Sequence, residues 1–133
     1  MTYLQIVLGL PYRLWEKIMA KTSEGKVKDK IKKILVDSNV WFYMPVNMGM
    51  GVSGIPDFIC CIQGKFFSIE AKAGSGKTTG LQEMQMARIR AAGGTTLIIN
   101  EDKLEQLALW VIKNNPLPIS EYNVGVGSQG IGE

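Results

Sequence analysis

Histidine is absent from the 133-residue sequence, and its absence removes large classes of enzyme. A Ser-His-Asp triad, a Cys-His pair and a histidine general base all depend on the imidazole ring. Cysteine is scarce: Cys60 and Cys61 are neighbours, and neighbours on a strand point to opposite faces, so no disulfide between them is expected. Two cysteines without a histidine also cannot complete a structural zinc site. Any catalysis by this chain must therefore use carboxylates, lysines and a hard metal ion.

Long apolar runs are also missing, because no stretch approaches the roughly 20 apolar residues that span a bilayer. The N-terminal apolar run has no basic residue before it and no small-residue cleavage site, so it does not resemble a signal peptide. With 46% apolar and 20% charged residues, the composition is that of a globular domain with one core. We therefore expect a cytoplasmic, intracellular protein without membrane association.

Hydrophobic periodicity and turn residues predict an α/β fold in which helices flank a small mixed sheet. The predicted order of elements is α-β-β-β-α-β-α. Helices are predicted at about 24–37, 79–92 and 101–113, and strands at 39–46, 57–62, 65–72 and 95–99. The strand at 95–99 has the pattern of a buried strand, and Gly93-Gly94 is expected to end the helix before it. The residues predicted to face the core from the first and last helices are Val27, Ile31, Ile34, Leu35, Leu104, Leu107, Ala108, Val111 and Ile112.

The dipeptide Gln63-Gly64 separates two strand-like segments and is typical of a two-residue β-hairpin turn. With that turn, Asp57 lies directly opposite Glu70 on one face of the sheet. Opposed like charges destabilise a sheet, whereas a divalent cation between two carboxylates converts the repulsion into coordination. Lys72, two residues beyond Glu70, shares that face, where its charge can stabilise the charge developing on phosphorus. The pattern predicts metal-dependent hydrolysis of a phosphodiester.

The hairpin residues belong to a longer pattern with four elements. Gly54-Ile-Pro-Asp57, followed after twelve residues by Glu70-Ala-Lys72, resembles the signature of the PD-(D/E)XK nucleases, and more narrowly that of the VRR-NUC (virus-type replication-repair nuclease) group. Glu24, at the start of a lysine-bearing helix, matches the early acidic position of that family, and Thr79-Gly-Leu-Gln82 matches its late glutamine motif. The resemblance covers about residues 23–100 and implies a restriction-endonuclease-like α-β-β-β-α-β core.

The resemblance also implies the composition of the active site. Asp57, Glu70 and the carbonyl oxygen of Ala71 would hold Mg²⁺, for which Mn²⁺ can substitute. Glu24 would reach the metal through water or complete a second site.

Two further side chains have implied catalytic roles. Lys72 would position water or stabilise the transition state. Gln82 would orient the water or the substrate, and Gln85, one helical turn later, competes for this role.

Assembly and substrate follow from the same resemblance. Stand-alone members, which are encoded by phages or bacteria, resemble Holliday-junction resolvases, and this implies a homodimer that cleaves branched or structured DNA. Residues 23–115 are the expected nuclease domain. They would follow an N-terminal helical extension at 1–22 and precede a flexible C-terminal tail at 116–133.

Basic residues outside the hairpin are predicted to contact DNA phosphates, although charge alone fits a solvated helix face equally well. These residues are Lys28, Lys32, Lys77 and Arg88. A non-catalytic DNA-binding module is a second interpretation, because such a module needs the basic residues but not Asp57.

A third interpretation is a nucleotide-binding P-loop. Ala71–Thr78 fits a relaxed form of that motif, with alanine in place of the first glycine and a strand before it and a helix after it. However, the predicted strand at 95–99 ends in Asn100, where a P-loop protein supplies an aspartate for Mg²⁺. The P-loop interpretation also leaves Asp57 without a role.

Overall fold

A four-stranded mixed sheet organises the computed structural model, which describes residues 22–46 and 51–115. The strands lie in the order β1 (Trp41–Tyr43), β2 (Phe58–Ile62), β3 (Lys65–Ala71) and β4 (Thr95–Ile99). The helices are α1 (Ser23–Asp37), α2 (Gly80–Ala91) and α3 (Leu104–Asn114), with a 3-10 turn at Glu101–Lys103 before α3. The predicted α/β class and the predicted order of the elements are confirmed.

The turn between β2 and β3 sets the register of the sheet. Gln63 and Gly64 have positive φ angles of 49° and 76°, as a two-residue type I′ turn requires. Ile62 therefore pairs with Lys65, and the pairing continues without a bulge to the other end of β2. The predicted register of the hairpin is confirmed.

β3 and β4 run parallel, so the chain has to cross from one end of the sheet to the other between them. Helix α2 makes this crossover. It ends at Ala91, and Gly93, whose φ is +94°, reverses the chain direction just beyond the C-cap, as the Gly93-Gly94 pair predicts. β4 was expected to be a buried strand, but only Ile99 is buried, because β4 lies at the edge of the sheet.

Alternation along the strands gives the sheet two distinct faces. The core face consists of Phe58, Cys60, Ile62, Phe67, Ile69 and Ala71, and it packs against α1 and α3. The α2 face consists of Ile59, Cys61, Phe66, Ser68 and Glu70, and α2 covers part of it. The two free cysteines thus lie on opposite faces, as predicted.

The buried stripe of α1 is the predicted one, and four of the five predicted core residues of α3 are buried. Ile112 is the exception, with 59% of its surface exposed. It lies at the edge of the stripe centred on Leu104 and Val111, where successive residues turn by about 100°. The prediction that Ile112 faces the core is therefore wrong.

β1 is shorter than the predicted strand at 39–46, because it pairs only with β2 and Pro45 lacks the amide proton that a longer ladder would use. Its aromatic residues also divide between the faces. Phe42 packs near Phe58 with ring centroids 6.1 Å apart, whereas Trp41 and Tyr43 are exposed.

The predicted extension at 1–22 and the predicted tail at 116–133 lie outside the described residues, except for Thr22. Thr22 caps α1, since its side-chain oxygen accepts a hydrogen bond of 3.2 Å from the Gly25 amide. Among the helices in the described ranges, none combines the length and the apolar content that a membrane crossing requires.

Candidate active site

Three carboxylates converge where β2 begins, β3 ends and α1 begins. One oxygen each of Glu24, Asp57 and Glu70 lies within 4.8 Å of the others. The hairpin register brings Asp57 beside Glu70, and Glu24 arrives from the first turn of α1. The expectation that Asp57 and Glu70 share one face of the sheet is borne out.

Asp57 is held from two sides. Its Oδ2 accepts a hydrogen bond of 2.9 Å from the Ala71 amide, and its Oδ1 lies 3.1 Å from Lys28 Nζ. Sequence reasoning missed the contact with Lys28, although Glu24 and Lys28 lie four residues apart and so share one face of a helix. In the structure the amide of Ala71 is hydrogen-bonded to Asp57. Metal binding by the carbonyl oxygen of Ala71 stays a prediction.

The neighbouring carboxylates affect the pKa of the Lys28 amine. Partial burial lowers the pKa of this amine, but the hydrogen bond with Asp57 and the negative charges of Asp57, Glu24 and Glu70 outweigh burial and raise the pKa above its ordinary value. Lys28 is therefore a firmly charged counterion of the carboxylates, and contact with a DNA phosphate is a separate prediction for it.

Glu70 is the most constrained member of the cluster, with only 2% of its surface exposed. Burial, together with the charge of Asp57, raises the pKa of Glu70 to about 7, although Lys72 partly offsets this. Its Oε1 accepts a hydrogen bond from Gln82, whereas its buried Oε2 has no hydrogen-bond partner among the described residues. A buried acceptor without a partner costs stability, so this oxygen is available for a ligand.

Gln82 connects α2 to the carboxylates. Its Nε2 donates to Glu70 Oε1 at 2.7 Å, and its Oε1 accepts from Lys72 Nζ at 3.0 Å. Lys72 Nζ also lies 3.4 Å from Glu70 Oε1. Since both ends of its amide are engaged, Gln82 holds Glu70 and Lys72 in place, and an orienting effect on water or substrate remains a prediction.

The choice between the two glutamines depends on the start of α2. Gln82 forms a capping box with Thr79, in which each side chain bonds the backbone amide of the other residue. The third helical residue of a capping box folds back over the helix N-terminus, so the Thr-x-x-Gln spacing favours Gln82 over Gln85. Gln85 lies in a groove farther along the helix.

Gly54 allows the loop before Asp57 to lie against the start of α2. Its φ is +81°, and a Cβ atom at this position would come within 2.5 Å of the Leu81 carbonyl carbon and oxygen. Only glycine combines that φ with so close an approach. The glycine of the Gly-Ile-Pro-Asp segment thus brings Asp57 and Gln82 into the same site.

The site fits a small divalent cation. Mg²⁺ prefers oxygen ligands and commonly uses one or two carboxylates together with water and phosphate oxygens. Here three carboxylates are only partly balanced by the ammonium groups of Lys28 and Lys72, and the buried Oε2 of Glu70 has no partner in the part of the chain that the structure describes. Asp57 and Glu70 are the residues best placed to hold the ion, with Glu24 beside them.

The other predicted DNA contacts do not belong to this cluster. Lys32 and Lys77 are exposed, and Arg88 lines the groove that contains Gln85. Nothing in the structure assigns a ligand to these three side chains, so their contacts with phosphate stay predictions.

The P-loop-like segment has a different structure from a phosphate cradle. α2 begins at Gly80, beyond the end of the motif at Thr78. The Gly74 amide donates to both carboxylate oxygens of Glu101, at 3.1 and 2.8 Å, so a fixed anion already occupies this donor. These contacts disfavour nucleotide binding by this loop.

Comparison with known proteins identifies no family for this chain. No family model matches the chain, and no curated protein matches it.

Proposed function

We propose that this chain is a metal-dependent endonuclease that hydrolyses phosphodiester bonds in DNA. The observation that carries the proposal is the convergence of Glu24, Asp57 and Glu70 within 4.8 Å, with Lys72 Nζ 3.4 Å from Glu70. A carboxylate cluster alone is common on protein surfaces. A buried carboxylate with a free oxygen, held against a lysine, is better suited to a metal ion and a phosphate.

The metal ion and the residues around the cluster have separate tasks in the proposed reaction. A bound Mg²⁺ would supply Lewis-acid stabilisation of a phosphate oxygen and a more acidic water molecule. The Lys72 ammonium stabilises the negative charge that develops on the phosphate. Gln82 and the Ala71 amide hold Lys72, Glu70 and Asp57 in position before substrate arrives, and this limits reorganisation during the reaction.

The finer parts of the proposal are supported by the resemblance to VRR-NUC nucleases. They are a branched or structured DNA substrate, a homodimer and an intracellular location. The described residues hold one such carboxylate cluster, and this suits the assembly, since a branched substrate needs two cuts and a dimer presents two sites.

A panel of labelled DNAs tests the function directly. Four-way junctions, flaps, nicked duplexes and blunt duplexes would be incubated with the protein and Mg²⁺ or Mn²⁺. We expect cleavage of at least one branched substrate, and EDTA should abolish it. Asp57→Ala should lose cleavage and keep binding, whereas Asp37→Ala, an exposed aspartate at the end of α1, should retain both. Equal cleavage by the wild type and Asp57→Ala would overturn the proposal.

A matched pair of lysines separates the nuclease from the P-loop alternative. Lys72→Ala should lower the cleavage rate by about 10²–10³-fold in a folded protein, because a preorganised charge at the phosphate is lost. Lys77→Ala should leave the cleavage rate within a fewfold of the wild type and weaken DNA binding slightly. ATP hydrolysis that Lys77→Ala abolishes would instead support nucleotide binding by the loop.

A further inference from the structure

A groove of about 500 Å³ lies between α2 and the sheet, on the same face as the carboxylate cluster. It is lined by apolar side chains and by two polar ones. The main lining residues are Val52, Ile55, Phe66, Gln85, Arg88 and Ile89. The proposed hydrolysis does not use this groove.

Gln85 is the unusual member of the groove. Only 8% of its surface is exposed, and its side-chain amide makes no hydrogen bond with the described residues, although its polar atoms still reach solvent in the groove. An amide that is mostly enclosed and has no protein partner can bond a ligand in the groove at a small cost in lost hydration. A ligand that offers both a donor and an acceptor in one plane would restore these hydrogen bonds.

The apolar wall of the groove is closely packed at Gly94. Gly94 packs so closely that a Cβ atom there would lie 2.7 Å from Ile89 Cγ2 and 2.9 Å from Phe66 Cδ1. Phe66 is nevertheless 42% exposed, so part of its surface is open to a ligand. Flat aromatic ligands stack favourably on such a surface.

Arg88 gives the groove a positive charge. It belongs to neither of the two ion pairs of the described residues and lies one helical turn beyond Gln85. A guanidinium group binds phosphate oxygens in a two-pronged geometry. The groove therefore combines an exposed aromatic side chain, an amide group and a guanidinium group.

The groove is continuous with the active site. Ile55 precedes Asp57 by two residues, and Gln85 follows Gln82 by one turn, a rise of roughly 5 Å. Phe66 and Glu70 lie on the same side of β3, about 13 Å apart along the strand. A nucleotide chain at the carboxylates would thus pass the groove within one or two nucleotides.

We propose that this groove is a nucleobase subsite, which takes one unpaired base of the strand that the active site cuts. The base stacks on Phe66, its edge bonds the Gln85 amide, and an adjacent phosphate contacts Arg88. Since the edge of a paired base is already hydrogen-bonded to its complement, the substrate contains a single-stranded or extrudable nucleotide beside the scissile bond. This inference rests on the proposed nuclease function and names its substrate class.

Binding in EDTA tests the subsite without requiring catalysis. Fluorescence anisotropy would compare a labelled single-stranded DNA, an RNA of the same sequence, a blunt duplex and a strand of equal length made of abasic residues. Wild type should bind the single strand at least about tenfold more tightly than the abasic strand, since base–aromatic stacking alone contributes about that much. Comparison of the single-stranded DNA with the RNA shows whether the unpaired base comes from DNA or from RNA.

Three variants locate the binding on the protein. Gln85→Leu and Phe66→Ala should each lose about fivefold or more in affinity for the single strand, and no more than twofold for the blunt duplex. Gln106→Leu makes the same change at an exposed glutamine on α3 and should leave both affinities unchanged. Circular dichroism would verify that each variant is folded. The comparison of normal and abasic strands uses only the wild type, so it does not depend on the folding of any variant.

Equal affinity of the wild type for normal and abasic strands would overturn the subsite, as would equal losses of Gln85→Leu on single strand and duplex. Cleavage of blunt duplex at wild-type rate by Gln85→Leu, with no preference for unpaired DNA, would leave the nuclease standing without the subsite. Base-dependent binding without cleavage in the presence of any metal would support the subsite and overturn the nuclease. Capture of an apolar peptide in place of a nucleic acid would also contradict the subsite.

Discussion

The two faces of β3 differ in the kind of side chain that they bury, although their residues alternate along one strand of seven residues. On the core face, Phe67, Ile69 and Ala71 are buried among apolar residues of α1 and α3. On the α2 face, Ser68 and Glu70 are equally buried, yet Ser68 Oγ and Glu70 Oε2 have no hydrogen-bond partners among the described residues. Stability is concentrated on the core face, and unsatisfied polar groups collect on the other. This division is typical of a protein that has built a ligand site on a stable scaffold.

Phe67 and Phe66 offer the strongest test of this comparison, because adjacent residues face opposite sides. Phe67→Ala should lower the free energy of unfolding by about 3–5 kcal/mol, since it leaves a cavity beside Trp110, whose ring centroid is 4.9 Å away. Phe66→Ala should cost less than half as much, because its ring is partly exposed. Urea denaturation measures both values. Equal losses would mean that the α2 face supports the fold as strongly as the core face.

Gly54 and Gly64 test how tightly the α2 face is assembled. Both have φ near +80°, but only Gly54 would drive a Cβ atom into the backbone of α2. Gly64→Ala should therefore cost about 1 kcal/mol of backbone strain. Gly54→Ala should cost about 2–3 kcal/mol and displace Asp57 from Gln82, with loss of cleavage. Thermal unfolding and the cleavage assay would measure the pair, and identical stabilities would argue against the close approach.

Glu70→Gln tests the buried carboxylate through pH. Because the folded-state pKa of about 7 exceeds the ordinary value of 4.5, the folded metal-free protein retains a proton that the unfolded chain releases. The contribution of Glu70 to stability is thus fully present below about pH 4.5 and is lost as pH rises towards 7. Glu70→Gln should raise the metal-free Tm by about 5 °C at pH 8 and change it little at pH 4.

Mg²⁺ completes that experiment. It should raise the Tm of the wild type at pH 8 by binding only the folded state, and it should have little effect on Glu70→Gln. Glu105→Gln, at an exposed glutamate on α3, is the matched control and should behave as the wild type. A wild-type Tm that does not fall between pH 5 and 8 in EDTA would contradict the buried, proton-holding state of Glu70.

Ser68→Ala gives the smallest effect. Removing a buried hydroxyl without a partner should leave the free energy of unfolding unchanged or raise it by up to about 1 kcal/mol. Ile69→Val, its neighbour on the core face, should lower the free energy by about 0.5–1.5 kcal/mol. Chemical denaturation of both variants would measure the difference, and a marked loss in Ser68→Ala would point to a partner for that hydroxyl.

Much of the scaffold was predictable because it depends on local rules. The apolar stripe of α1 follows the helical period, and the Gln63-Gly64 turn fixes which residues pair across the hairpin. The juxtaposition of Asp57 and Glu70 is a consequence of that register. The wrong predictions concern burial at edges, which local patterns do not determine. Ile112 lies at the edge of a helical stripe and β4 at the edge of the sheet, and both are more exposed than predicted.

The sequence by itself thus determined the order of the elements, the register of the hairpin and the two acidic residues that meet across it, since turns and strand alternation are short-range properties. Only the tertiary structure decided that Lys28 pairs with Asp57, that Gln82 reaches Glu70, and that Gln85 lies in a separate groove. The physical reason is that these contacts depend on how α1 and α2 pack against the sheet. Packing joins residues that are distant in sequence, and no local period or turn specifies those distances.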